Sequence, residues 1–413
     1  MLSKIKSFDS NWKMVSILFL LGLSLRLVVF GGEHQEGDEL IYQTLVEQLN
    51  SGKGYTLQGS PLLEELKRLE HQAYSRTLFF HPPGGIGLFW LFYWLFGPLG
   101  YPLIQIFSYV LFFLSMMWLA KLLGLSSNVG LVITGALSAF TPIMAQVTTH
   151  YWLDGPLLGF STIAAAVFLS AVNKDNIRLA CLSGVLLGFA SLIKLTAFLI
   201  VPGVVFLAWT FWDPSKRNPF IYLCVCLIVP ALLAQIPWEI WQWIKLGAPF
   251  SVLPENPSDT LIENNKYIYH LTVVRSPWIY LTLTPRILWT LVPTILLFGF
   301  LYDNKKIRQQ GQSLFLWIFI VLFFHIVLGF LGYSKVIRYI ILITPALIIW
   351  FSLLMDEAAR RARPLKPLSL RNGSLVILIT VSYMALILEI STGIIGPTFF
   401  KNYDLIVPIL GNY

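Results

Sequence analysis

Eleven stretches of this chain are apolar over about 20 residues, the length a helix needs to cross a bilayer core roughly 30 Å thick. They lie at roughly 14–31, 101–123, 129–149, 156–172, 178–193, 196–212, 219–240, 277–302, 313–333, 336–355 and 374–396. Backbone in lipid has no water to bond, so each run is expected to be a helix. The fold class is therefore all-α: a polytopic integral membrane protein, with one transmembrane domain over residues 1–413. Composition agrees, since only 12% of residues are charged and 56% are hydrophobic, against about 25% charged in soluble domains. A water-soluble enzyme, a disordered chain and a nucleic-acid module are all excluded.

A twelfth apolar run, Gly84–Gly97, follows Pro82-Pro83 and is too short to span, so it reads as re-entrant or interfacial. Counting it as a span would reverse every later loop, and positive charge decides the matter. With the N-terminus cytoplasmic and this run not spanning, 16 of the 29 basic residues fall in short inside segments, including DNKKIR at 303–308 and RRARPLKPLSLR at 360–371. Of the 21 acids, 13 fall outside. That is the distribution the positive-inside rule prefers, so most of the net +8 is topology. The first run, Met14–Phe30, has no small-residue cleavage site and contains Arg26, so it reads as a retained helix rather than a signal peptide. Cys181, Cys224 and Cys226 sit in apolar runs, which argues against a disulfide framework.

Two extracytoplasmic segments are long, 32–100 and roughly 241–276. In the first, Asp38–Leu49 and Pro61–Ala73 place leucines at helical spacing, as amphipathic helices lying on the membrane surface do. The same loop holds the acid pair Asp38-Glu39 and ends in His81-Pro82-Pro83-Gly84-Gly85. A further acid, Asp154, follows the third span in THYWLDGPLLGF. Ahead of a first-turn proline it suits a helix N-cap, but an acid in so apolar a setting also suits a working site. Lys194, in SLIKLTAFLIVP, and Lys335 and Arg338, in GYSKVIRYIILITPA, stand at tight outer-face turns. Singly they read as cations snorkelling to headgroups. Together, facing acids on two other outer loops, they suit a lipid-linked phosphate and a carboxylate acting on an acceptor.

These residues, in this order, resemble the type C glycosyltransferases of glycosyltransferase family 39 and its relatives, the protein O-mannosyltransferases and the lipid A aminoarabinose transferase. The resemblance rests on GDELIYQTLVEQLNSGKGYT, FHPPGGIGLFWLFYWLFG, GVLLGFASLIKLTAFLIVP and RYIILITPALIIW, and covers residues 14–355. It implies transfer of a sugar from a polyprenyl-phosphate carrier at the non-cytoplasmic face. Carried over by position, Asp38 would be the base, with Glu39 beside it and Asp154 a second acidic site residue. Lys194, Lys335 and Arg338 would bind the carrier phosphate; His81, Tyr42 and Tyr339 would be candidate acceptor or donor contacts. The sequence departs from the family where HPP is followed by Gly-Gly rather than a bulky residue.

The chemistry stands without the resemblance. A phosphate leaving group needs little acid help once cations neutralise its charge, whereas an acceptor hydroxyl must lose its proton in the transition state. One base and one leaving phosphate give a single displacement with inversion. A divalent metal could bridge acid and phosphate, but without a His-rich ligand set no cofactor or metal is expected to be required. The expected partners are the donor, membrane lipids and a lipid, glycan or protein acceptor, with no nucleic acid, and the expected location is the cell membrane, the inner one if the source is a bacterium. The rival reading is a transporter or flippase of an amphipathic anion, which should show broken helices and paired polar residues near mid-membrane.

Overall fold

Where they are described, the apolar runs fold as helices. The computed structural model describes residues 2–29, 38–68, 82–125, 128–246, 276, 278, 280, 305–331, 337–362 and 387. Nearly all of the expected spans 277–302 and 374–396, most of the 241–276 loop, His81 and Lys335 lie outside the described residues. Among the described residues there is no strand.

In chain order the helices are α1 (Leu2–Val29), α2 (Asp38–Asn50), α3 (Pro61–Arg68), α4 (Gly84–Phe96), α5 (Gly100–Leu122), α6 (Asn128–Phe140), α7 (Pro142–Val147) and α8 (Asp154–Lys174). Then follow α9 (Ile177–Ile193), α10 (Val201–Trp209), α11 (Phe220–Leu246), α12 (Lys305–Phe330) and α13 (Thr344–Ala362). Several apolar runs are broken rather than continuous. The 129–149 run divides at Thr141, which is extended, with Pro142 opening α7, as expected of a residue with no N–H to donate. The runs at 196–212 and 336–355 open in 3₁₀ segments, Leu195–Ile200 and Ile337–Ile343.

α8 is the hub of the bundle. It is buried along nearly its whole length between α5 and α9, while α9 lies between α8 and α11. Helices in lipid gain little from hiding leucine, so they associate where small residues let backbones approach. The motif Gly184-x-x-x-Gly188 on α9 does this against α11. A Cβ on Gly184 would lie 2.5 Å from the Leu227 carbonyl oxygen, and one on Gly188 would lie 2.7 Å from Ala234 Cβ. The polar bond Ser183 Oγ to the Ala164 carbonyl, 2.7 Å, ties α9 to α8 on the other side.

The short run Gly84–Gly97 behaves as its length requires. α4 ends at Gly97, whose φ of 59° permits a sharp reversal, and α5 begins at Gly100. The rings of Phe92 and Phe107 are 5.8 Å apart. In a straight helix, positions so separated would be about 22 Å apart. Both helices start at one end of the bundle: Gly85 lies against Leu153, and Tyr101 stacks on Tyr151 at 5.4 Å. α4 therefore does not carry the chain to the far end. Its Gly-Gly start, the departure from the family pattern, has a local reason. A Cβ at Gly84 would meet Leu192 Cβ at 2.7 Å, and one at Gly85 would meet Leu153 Cδ2 at 2.6 Å.

α2 and α3 confirm the helical spacing of the first loop, but α2 is not simply a surface helix. Ile41, Leu45 and Val46 are buried, and α2 packs on α4. Protein, rather than lipid, covers that face.

Two measurements check this arrangement. Single cysteines at Gln58 and Ser215, both exposed, are introduced after removing the 3 native cysteines. An impermeant reagent applied from outside should label the first and spare the second; labelling of both would mean that α4 spans. Gly184→Ala should destabilise the bundle by about 1–3 kcal/mol, as overpacking against fixed backbone does, seen as a lowered unfolding temperature in detergent.

Candidate active site

Four charged side chains from distant parts of the chain meet at the bundle end where α2 and α8 begin. Each is delivered by a helix terminus or a helix break. Asp38 is the first residue of α2, and Asp154 the first of α8. Lys194 is extended, with φ −150° and ψ 132°, and separates α9 from the 3₁₀ segment Leu195–Ile200. Arg338 lies in the 3₁₀ segment that precedes α13. Carboxylates in the first turn of a helix also face the positive end of its dipole.

The charges form a chain. Lys194 Nζ donates to Asp154 Oδ1 at 2.8 Å, Arg338 Nε stands 4.0 Å from Asp154 Oδ2, and Arg338 Nη2 pairs directly with Asp38 Oδ2. Side-chain exposures are 2% for Asp154, 9% for Lys194, 13% for Arg338 and 16% for Asp38. Such burial rules out snorkelling for Lys194. The capping reading of Asp154 is also overturned. The residue that caps α8 is Leu153, with no side-chain bond, while the Asp154 carboxylate turns to Lys194. Among the described residues, Asp154 Oδ2 and Arg338 Nε are both buried without a hydrogen-bond partner.

Glu39 occupies a different position from Asp38. Its Oε1 accepts the backbone N–H of Tyr151 at 2.8 Å and so ties α2 to the segment 148–153. That segment is held from other sides as well. Gln105 Nε2 on α5 donates to the Trp152 carbonyl at 2.9 Å. Arg26 on α1, fully buried, donates through Nε to Thr148 Oγ1 at 2.8 Å and stacks on Tyr109 at 3.8 Å. Desolvation, with the Glu39 charge nearby, raises the Tyr151 phenol to about 12, so it stays neutral near pH 7.

Of the remaining expected contacts, Tyr339 lies under Lys194, with Nζ 5.9 Å from the ring centre, and near His325 at 6.4 Å. Tyr42 is 1% exposed and stacks on Phe89 at 6.4 Å, forming part of the wall. His81 and Lys335 are outside the described residues.

Sequence reasoning missed Trp152 and His150. Arg338 Cζ lies 4.5 Å over the Trp152 ring, and the His150 ring stacks on Trp152 at 4.4 Å. The available signal was the aromatic run HYW directly before Asp154. A groove of about 350 Å³ between α1 and α5, lined by Trp12, Phe19, Phe113 and Lys121 among others, contains none of these residues.

Comparison with known proteins bears on the whole chain. Residues 80–241 match the family model for dolichyl-phosphate-mannose-protein mannosyltransferase. A search of curated proteins found no match. Among solved structures, ArnT from Cupriavidus metallidurans in the apo state is similar at TM-score 0.61 and 17% identity, over 95% of this chain and 78% of that one. ArnT bound to undecaprenyl phosphate gives 0.60 and 17%, over 94% and 78%. Family match and shared fold bear out the resemblance read from the sequence: the chain is a helical membrane protein with a fold like that of ArnT, and its residues 80–241 are similar to the dolichyl-phosphate-mannose-protein mannosyltransferase family.

Proposed function

We propose that this protein transfers a sugar from a polyprenyl-phosphate carrier to an acceptor hydroxyl at the extracytoplasmic face, with inversion. The observation that carries the reading is the buried chain Asp38–Arg338–Asp154–Lys194 at one end of the bundle. Two cations beside two carboxylates support a site that holds a phosphate and takes a proton. The likeness to a structure that holds undecaprenyl phosphate supports the choice of carrier.

In the proposed reaction the acceptor oxygen attacks the anomeric carbon while the bond from that carbon to the phosphate oxygen breaks. Asp38 takes the acceptor proton. The polyprenyl phosphate leaves with the bonding electron pair, and Lys194 and Arg338 neutralise its charge, joined by Lys335 as the third cation of the set. Asp154 sets the positions of Lys194 and Arg338 by pairing with both. Glu39 fixes the approach of α2 to the segment that carries Asp154. The cations supply the electrostatic stabilisation, so the scheme needs no divalent metal. Lipid, glycan and protein acceptors would all present the same hydroxyl chemistry. A flippase would use such cations without breaking a bond, and donor consumption separates the two.

Purified protein supplied with a synthetic polyprenyl-phosphate sugar and acceptor tests the scheme. Asp38→Asn should lower turnover by about 10²–10⁴-fold, the usual worth of a positioned base, with donor binding retained. A mutant as fast as wild type would remove Asp38 from the base role. Chelating divalent metals should leave the wild-type rate unchanged. Lys194→Met, which keeps the length but loses the charge, should weaken donor binding by about 10- to 100-fold, as loss of a charge-assisted bond does. Unchanged affinity in a folded variant would take Lys194 out of the phosphate site.

A further inference from the structure

Trp152 belongs to none of the groups that exchange protons or meet phosphate, yet it is the best-fixed aromatic near them. Its backbone is held on both sides: the Tyr151 N–H by Glu39 at 2.8 Å, and its own carbonyl by Gln105 at 2.9 Å. The Arg338 guanidinium lies 4.5 Å over its ring, and the His150 ring stacks on it at 4.4 Å and 24°. His150 is itself fixed, with Nδ1 3.0 Å from the Gln146 carbonyl oxygen. The indole is thus engaged at once by an imidazole and a guanidinium.

A guanidinium carries its five N–H donors in one plane. Stacking fixes the tilt of that plane but leaves the group able to turn and slide within it. From this position the Arg338 edge reaches Asp38 on one side, while Nε, which has no hydrogen-bond partner among the described residues, stands 4.0 Å from Asp154. We infer that Trp152 is a positioning residue, the platform that keeps the Arg338 guanidinium in the plane where it can pass from Asp38 to the carrier phosphate. The inference rests on the transferase reading above and adds to it a residue that acts only through Arg338.

The test is a double-mutant cycle on the full-length protein in detergent, with undecaprenyl phosphate as the probe. Trp152→Met fills much of the same volume without a π face, Trp152→Phe keeps the face, and Arg338→Gln removes the cation. Trp152→Met should weaken undecaprenyl phosphate binding by about 5- to 30-fold, the range of a desolvated cation–π contact. Trp152→Phe should stay within a few-fold of wild type. In the Arg338→Gln background, Trp152→Met should change nothing further. Multiplying losses in the double variant would show Trp152 acting independently of Arg338 and overturn the proposal, as would a folded Trp152→Met that binds like wild type. If even Trp152→Met fails to fold, Trp152→Phe carries the cycle: rescue by phenylalanine supports the platform, and a phenylalanine variant as weak as Arg338→Gln overturns it. Wild type that binds no undecaprenyl phosphate would sink the transferase reading and this proposal together.

Discussion

Two carboxylates and two cations are withdrawn from water at one end of a membrane bundle, and the rest of the structure is arranged around that fact. Each buried ion costs several kcal/mol in lost hydration, which only close pairing offsets. Lys194 meets Asp154 at 2.8 Å and Arg338 meets Asp38 directly, so these four groups are matched in formal charge. A core built for stability alone would use apolar side chains here. Keeping four charges in place is therefore better explained by what they can do for an anionic ligand.

Bringing the four together requires helices that stop at one level. Lys194 can face Asp154 because α9 ends there in extended backbone before a 3₁₀ segment begins. Arg338 arrives on a 3₁₀ segment ahead of α13, and Asp154 opens α8. The close fit of α9 to α11 through Gly184 and Gly188, and the Ser183 bond to α8, fix the height of that break. Packing deep in the bundle thus sets the geometry of charges at its end. Arg26 contributes in the same way, since its bond to Thr148 anchors the segment 148–153 from α1.

What could be read from the sequence was residue type and order. Asp38, Asp154, Lys194 and Arg338 stood out because charge is scarce in this chain, and the span count placed them on one face. Pairing could not be read. Asp154 before Gly155-Pro156 has the local pattern of a cap, and only the three-dimensional position of Lys194, on another helix, shows that the carboxylate is engaged elsewhere. Glu39 looked equivalent to Asp38 because the two are adjacent. Neighbouring residues on a helix point about 100° apart, so one reaches Arg338 and the other the Tyr151 amide. Trp152 was hidden by abundance: in a chain with 14 Trp, one more beside an acid carries no signal until Arg338 is seen above it.

The formal charge match of the set has a consequence for the proposed reaction. An incoming phosphate brings negative charge that the four groups, already matched to one another, do not balance. Of the four, Arg338 is the least tied, because its contact with Asp154 is long and its Nε has no hydrogen-bond partner among the described residues. Were Arg338 to turn toward a phosphate, as the proposed scheme requires, Asp38 would give up its cation. In the proposed reaction, binding of the donor and release of the base would then be coupled through that one side chain.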